Sequence, residues 1–374
     1  MAYYPKLKTA FVPDRRKNHV IDKLIALKNQ LEEQIPDKNL EKNLLLATWN
    51  IRDFGKIGGF NPGKRLPESL FYIAEILSSF DLIAVQEVND LEPLETVLSI
   101  MGSSYSYIAT DVADKAGGGN GERMTFIYDK RKIWFKNIAG EIVLPANLMI
   151  SKTELETENG KIVAGKQFRR TPYVVSFQAG WFKFDLCTVH LYYGEDRGEK
   201  LQERIEEIAG IASYLGKRAN ADFLKEKSLI LLGDFNIVHP EHETMKALTD
   251  NGFIIPKNLQ RPSNMDLTKY YDQIAFKTST GQLEYIDKIV TIDPKQQNAG
   301  VLHIFETCFN GDDVDLYKDE IIKQKAGKKA AEGSQQDLLD YYNKWKTWQL
   351  SDHNLMWTRL NINDSLKYLE GCKI

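Results

Sequence analysis

Short apolar runs in this chain stop, one after another, on polar side chains that bind metals or move protons. The run Leu44 to Trp49 ends at Asn50, Asp81 to Val85 ends in Gln86 and Glu87, Phe182 to Val189 ends at His190, and Ser228 to Leu232 ends in Gly233-Asp234-Phe235-Asn236. Asp272 lies in the apolar stretch Tyr271 to Phe276, and Asp352-His353 directly precedes another, Asn354 to Leu360. Short apolar runs of this kind read as strands buried in a sheet, so their polar ends should fall together along one rim. Any fold that satisfies the pattern buries several strands side by side and leaves one edge of the layer as a working surface.

Helical periods alternate with these strands, which predicts an α/β protein. Residues 20–35 place Val20, Leu24, Leu27, Leu31 and Ile35 three or four apart, and Pro36 ends the helix. Further helices are expected over residues 67–80, from about Leu91, and over residues 198–217. Strands are expected near Ser104, Arg123 and Val301 to Phe305, with a hairpin turning at Gly180. Residues 1–42 read as an N-terminal extension, 43–362 as one catalytic domain and 363–374 as a tail. The stretch KQKAGKKAAEGSQQ, residues 323–336, is rich in lysine and glycine without an apolar anchor and reads as a mobile loop before an amphipathic helix, Asp337 to Trp348. The helices over 20–35 and 337–348 flank the catalytic part with apolar stripes and are the expected surfaces for a protein partner.

Composition narrows the classes. Lys and Arg number 49 against 52 Asp and Glu, a net charge of −3, so bulk charge does not mark a protein that coats nucleic acid. No stretch approaches about 18 consecutive apolar residues, and the opening MAYYPKLKTAFVPDRRK lacks a secretory pattern. The three cysteines, Cys187, Cys308 and Cys372, are widely spaced with no C-x-x-C, so no disulfide or zinc knuckle is expected and a reducing cytoplasm is the expected setting.

Carboxylates gathered on one rim repel unless a cation holds them. Oxygen donors dominate the set, which points to a hard divalent ion, Mg²⁺ before Mn²⁺. No serine or cysteine stands in a nucleophile setting, so direct attack by water fits better than a covalent route. His239-Pro-Glu-His242 has i,i+3 spacing and reads as loop rather than a helix-borne zinc pair. Gly117-Gly-Gly-Asn-Gly121 lacks the Lys-Ser/Thr of a phosphate-cradling loop and reads as a flexible connection. The runs Arg15-Arg16-Lys17 and Lys325 to Lys329 read as solvated surface.

The series LLLATWNIR, DLIAVQEV, NGERMTFIY, CTVHLYYG, LILLGDFNI, YYDQIAF and LSDHNLMW, from about Leu44 to Leu360, resembles the endonuclease/exonuclease/phosphatase superfamily. Glu122-Arg123 and Arg170-Thr171-Pro172 are similar to the deoxyribonuclease I branch. The resemblance implies a four-layered α/β sandwich of two packed mixed sheets flanked by helices, and metal-dependent hydrolysis of a phosphate ester. It implies Asn50, Glu87 and Asp352 as the metal group, Asp234 as the residue that orients or deprotonates water, and Asn236 as a donor to phosphoryl oxygens. His190 and His353 match the paired histidines, with Glu122 and Asp272 as their carboxylate orienters; which histidine serves as acid stays open. Arg170 and Tyr192 are the candidate substrate contacts. Internal cleavage of DNA is the expected activity, with RNA, a phosphoinositide or another phospholipid headgroup as the alternative substrate and a non-catalytic binding protein on the same fold as the remote alternative. Asn89 stands where deoxyribonuclease I carries a DNA-contacting arginine, and no cysteines are placed to form that enzyme's disulfides.

Overall fold

Strand β1 (Asn43–Phe54) divides its side chains between two cores. Leu44 and Leu46 join one buried cluster; Leu45, Ala47, Trp49 and Ile51 join the other. The same split recurs in β2 (Leu82–Val88), where Leu82 and Ala84 face one way and Ile83 and Val85 the other. Two-residue periodicity with both faces apolar is why these strands read as continuous hydrophobic runs.

The computed structural model describes residues 2–10, 14–56, 65–112, 121–157, 160–219, 227–278, 280–288 and 297–373. The remaining strands are β3 (Tyr105–Ala109), β4 (Arg123–Asp129), β5 (Ile133–Glu141), β6 (Ile150–Thr157), β7 (Gly160–Lys166), β8 (Tyr173–Ala179), β9 (Phe182–His190), β10 (Ser228–Ile237), β11 (Tyr270–Lys277), β12 (Ala299–Leu302) and β13 (Leu355–Asn361). The helices are α1 (Leu7–Ala10), α2 (Asp14–Gln34), α3 (Pro67–Ser78), α4 (Leu91–Met101), α5 (Gly198–Ala219), α6 (Glu243–Thr249), α7 (Thr280–Asp287), α8 (Val314–Ile321), α9 (Lys325–Ala331), α10 (Gln335–Thr347) and α11 (Ser365–Gly371).

Two large mixed sheets result, six strands in the order β12-β13-β1-β2-β4-β3 and five in the order β11-β10-β9-β8-β5. Each contains one parallel pair, β1 with β2 and β9 with β10, among antiparallel neighbours. Leu44, Leu46, Leu82, Ala84 and Phe126 meet Phe184, Leu186, Ile230 and Leu232 between the sheets. Helices cover the outer faces: α3 and α4 on the six-stranded sheet, and α5, through Ile208, Ile211, Ala212 and Leu215, on the five-stranded one. This is the expected four-layered sandwich.

Several expectations change. Residues 323–336 are not a loop: α9 packs Gly327 so closely on Ile321 that a Cβ there would sit 2.2 Å from the Ile321 carbonyl oxygen, and Ser334 with Asp337 forms a capping box that starts α10. Gly327 here serves close packing, which composition read as looseness. The stripes of α2 (Val20, Leu24, Leu27, Leu31) and α10 (Leu338, Tyr342, Trp345) are buried in the same cluster as β1, so these apolar faces are used inside the chain and offer no docking surface to a partner. Arg16 is likewise no solvated cation, since its Nε donates to the buried Glu68 at 2.7 Å. Residues 365–371 form α11, where a tail was expected, and β5 to β7 were not anticipated because their exposed positions break the apolar pattern. His242 accepts from Thr244 N and caps α6. Residues 117–120 of the glycine run lie outside the described residues. The three cysteines are free, and among the described residues no helix is long and apolar enough to cross a membrane.

Candidate active site

Strand register assembles the site. β10 places Asp234 opposite His190 on the parallel neighbour β9 and opposite Asp272 on the antiparallel neighbour β11. In the facing sheet Asn50 of β1 pairs with Gln86 of β2, and Glu87 follows at once. A polar bridge ties the sheets beneath these residues: Gln86 Nε2 donates to Thr188 Oγ1 at 2.9 Å and to Thr48 Oγ1 at 3.1 Å.

The ladders break where the functional side chains stand, between Asn50 and Phe54, between Val85 and Val88, and between Asp234 and Ile237. Glu87 (φ 63°) and Asn236 (φ 53°) occupy the left-handed region, which costs a residue with a Cβ about 1–3 kcal/mol. Hydrogen bonds hold both in place: Asp53 N donates to Glu87 Oε2 at 2.7 Å and Asn236 N to Asp234 Oδ1 at 2.9 Å. Gly233 (φ 128°) precedes Asp234, and a Cβ on it would lie 2.1 Å from the Val189 carbonyl oxygen, so only glycine lets β9 and β10 approach here.

Two imidazoles converge on one carboxylate oxygen. His190 Nδ1 lies 3.2 Å from Glu122, and His353 Nδ1 lies 2.7 Å from Asp272 Oδ2. Their Nε2 atoms face Asp234 Oδ2 at 3.6 Å and 3.8 Å. Asn50 Nδ2 donates to that same oxygen at 3.0 Å and to Glu87 Oε1 at 2.9 Å. Burial pulls the His353 pKa down, but the charges of Asp272 and Asp234 outweigh it and hold the imidazole well above its ordinary value. For His190, burial and the Arg170 charge oppose Glu122 and Asp234, and the balance is a smaller rise. Burial also raises Glu87 and Asp272, each beside further carboxylates, whereas His190 and Arg170 overcome burial at Glu122 and lower it.

Glu87, Glu122 and His190 bring ligand atoms within 4.8 Å of one another, as do Asp234, Asp272 and His353. In each set the histidine and its orienting carboxylate already bond each other, so Glu87, Asp234 and Asn50 are the donors left facing inward. Asn50 Oδ1 is buried with no hydrogen-bond partner, which costs about 1–3 kcal/mol for a bare amide oxygen. A cation ligated there would remove that cost, so the donor set fits a hard divalent ion.

The other expected residues stand around this centre. Asp352 is at the rim, 41% exposed, 3.3 Å from Arg52 Nη1. Arg170 is no free phosphate contact: its guanidinium pairs with Glu122 and Nη1 reaches the Leu191 carbonyl at 3.3 Å. The Tyr192 ring is covered by the Arg169 guanidinium at 3.9 Å, and the Tyr192 backbone N–H donates to Glu207 Oε2 at 2.8 Å. Asn236 spends one amide N–H on the Leu191 carbonyl at 2.9 Å, leaving the other.

Residues that the motifs did not mark support the site. Ser351 Oγ donates to the Asn50 carbonyl at 2.6 Å and accepts from His353 N at 3.0 Å, and Ser263 Oγ donates to Asp272 Oδ2 at 2.6 Å. Fully buried Arg204 donates to the Asn236 carbonyl at 2.7 Å. Arg204 had a signal: it falls on the same apolar stripe as Ile208, Ile211 and Leu215, where a charge needs a buried partner. Ser263 had none.

Residues 47–291 match the Endonuclease/Exonuclease/phosphatase family. A deoxyribonuclease of Thioalkalivibrio sp. (strain K90mix) is 28% identical over 219 residues, covering 56% of this chain and 51% of that protein, so the chain spans about half the length of the curated relative it matches. Among solved structures, an endonuclease/exonuclease/phosphatase family protein from Bacteroides thetaiotaomicron shares the fold with a TM-score of 0.52 and 17% identity, over 86% of this chain and 98% of that one. With its fold, its strand-end carboxylates and its paired histidines on one rim, the chain belongs to the endonuclease/exonuclease/phosphatase family of phosphoesterases.

Proposed function

We propose that this protein is a divalent-metal-dependent phosphodiesterase, Mg²⁺ before Mn²⁺, that cuts DNA internally by in-line attack of water. One observation carries the reading: two carboxylate-oriented imidazoles and the Asn50–Glu87 pair converge on Asp234 Oδ2. Asn50 and Glu87, with Asp352 from the rim, would hold the ion, which when bound polarises a phosphoryl oxygen.

Asp234 accepts the proton of the attacking water as the new P–O bond forms. The raised His353 and His190 then offer Nε2–H groups to the phosphoryl and leaving oxygens, so the breaking P–O bond leaves a protonated alcohol. Glu122 and Asp272 fix the ring orientation by binding Nδ1–H. The free amide N–H of Asn236 donates to a phosphoryl oxygen. Arg170 acts through Glu122 rather than on substrate, and Tyr192, two residues beyond His190, remains the candidate substrate contact. DNA as substrate is supported by the matched relative's being a deoxyribonuclease. Three free thiols agree with a reducing, cytoplasmic setting.

Gel-resolved cleavage of supercoiled plasmid tests the reading, with Mg²⁺, Mn²⁺ or EDTA and an Asp234→Ala His353→Ala double variant as contamination control. Nicked circles that need metal and vanish in the variant are expected. Plasmid intact under every metal would overturn internal DNA cleavage.

A further inference from the structure

We infer that the groove beside His353 receives an unpaired base of the DNA strand, so that single-stranded or locally melted DNA is the better substrate; this rests on the nuclease reading above and names its substrate form. The groove holds about 680 Å³ and is lined by Met265, Tyr271, Asn343, Lys344, Trp348 and, at its inner end, His353. That volume falls within the ~300–1,000 Å³ of small-ligand sites and has room for a base with its sugar.

Both walls are built onto the catalytic rim. On one side Met265 N donates to the Asp352 carbonyl at 2.8 Å, and Asn264 bridges to the His353 backbone. On the other side Arg52 donates to Thr347 Oγ1 of α10 at 2.6 Å and lies over the Trp348 ring at 3.8 Å. Tyr271 packs its ring 5.6 Å from that of His353. A ligand in the groove therefore lies next to the scissile phosphate.

The lining selects what part of a nucleic acid enters. Asp266, Asp340 and Asp352 also face the groove, against Lys344, His353 and an Arg52 that already pairs with Asp352, so the lining has no cationic excess along which a phosphate backbone would lie. Base amino groups, by contrast, donate to carboxylates and to the Asn264 and Asn343 carbonyls, and base faces stack on Tyr271 and on the part of Trp348 that lines the groove beyond its contact with Arg52. A paired base has both faces stacked in the duplex and its Watson–Crick edge occupied, and so offers the groove neither. Only an unpaired base presents both at once.

The test compares kcat/KM with Mg²⁺ on one oligonucleotide sequence, alone and in duplex, with bis(p-nitrophenyl) phosphate as a small phosphodiester. The wild-type chain should favour the unpaired strand by about ten-fold or more, the size of one base stacked on an aromatic ring. Trp348→Ala should erase most of that ratio, mainly through KM, and Trp348→Phe, which keeps a ring, should retain it. If Trp348→Ala fails to fold, exposed Lys344→Glu carries the test and should lower use of the unpaired strand several-fold. Equal use of both forms, a preference for duplex, or a ratio unchanged in both Trp348→Ala and Lys344→Glu would overturn the groove's role while leaving the nuclease reading intact. Hydrolysis of the small diester with neither oligonucleotide cut would instead overturn DNA as substrate, and the groove proposal with it.

Discussion

The two ends of β2 and β4 carry the same buried residue types with opposite charge balance. At one end Asp81 meets Lys132 at 2.5 Å, both fully buried, and Lys38 at 3.5 Å, while Asp129 binds Arg131 at 2.6 Å. At the other end, about 20 Å away at the rise of an extended strand, Glu87, Glu122, Asp234, Asp272 and Asp352 find their direct partners, among the described residues, in Arg170, Arg52 and the two imidazoles, while Arg65 and Lys56 act on them from farther off. The first rim is closed by its own cations and holds strands together. The second has more carboxylates than direct cationic partners and keeps Asn50 Oδ1 bare, as a site that takes its neutralising charge from a bound divalent ion, the reading proposed above, would. Similar burial with different pairing separates a structural cluster from a working one.

The largest break in this comparison is Asp234→Asn. Turnover of a phosphodiester should fall by roughly 10²–10⁴-fold, the range for a general base, while the chain stays folded, because asparagine keeps the side-chain oxygen that accepts from Asn236 N. Activity near wild type would remove Asp234 from the chemistry. At the opposite rim Lys132→Met should behave inversely, losing about 3–5 kcal/mol in urea unfolding because Asp81 stays buried and uncompensated, with turnover per folded molecule preserved. A loss under 1 kcal/mol would show that Lys38 alone suffices.

Divalent cation sharpens the contrast. Saturating Mg²⁺, at about a hundred times its Kd, should stabilise the protein by ~2.7 kcal/mol, and Glu87→Gln should abolish most of this in a thermal shift. An equal shift in the variant would place the ion elsewhere.

Acid unfolding of the metal-free protein should separate the rims by sign. Burial would raise Asp129, but hydrogen bonds from Arg131 and the Lys38 charge overcome it and lower its pKa. Its contribution is therefore present above the ordinary carboxylate value of about 4 and lost as pH falls through the lowered one. Glu87 and Asp272 are raised, so their contribution is present below that ordinary value and lost as pH rises through the raised ones. Asp129→Asn should flatten the acid-side loss in urea midpoints, and Glu87→Gln should flatten the decline at higher pH. The smallest effect is expected from Arg170→Met, which removes a charge that lowers His190 and should move one limb of the pH–rate profile upward without changing the other.

Most strands and the site's carboxylates and histidines were legible because each feature is local. An apolar run terminated by Asn50, His190 or Asp234 carries its own signal, and the amphipathic period of residues 20–35 marks α2. Legibility failed where a local pattern has more than one tertiary use. Gly327 of α9 resembles part of a loose linker until Ile321 is packed against it. Arg170 resembles a phosphate contact until Glu122 is found beside it, and the stripes of α2 and α10 resemble docking faces until each is seen covered. Ser263 is an ordinary loop serine apart from its bond to Asp272.

By itself, then, the order of residues determined that strands would alternate with helices and that Asn50, Glu87, His190, Asp234, Asp272 and His353 would stand at their ends, because hydrophobic period and chain punctuation act over a few neighbouring residues. Only the tertiary structure decided which of those ends meet, which amide oxygen is left bare, and that α10 walls a groove beside His353. Those outcomes depend on pairing register and on contacts between residues as distant as Asn50 and Ser351, where the energy of an ion pair or a bare amide oxygen is set by its surroundings rather than by its own side chain.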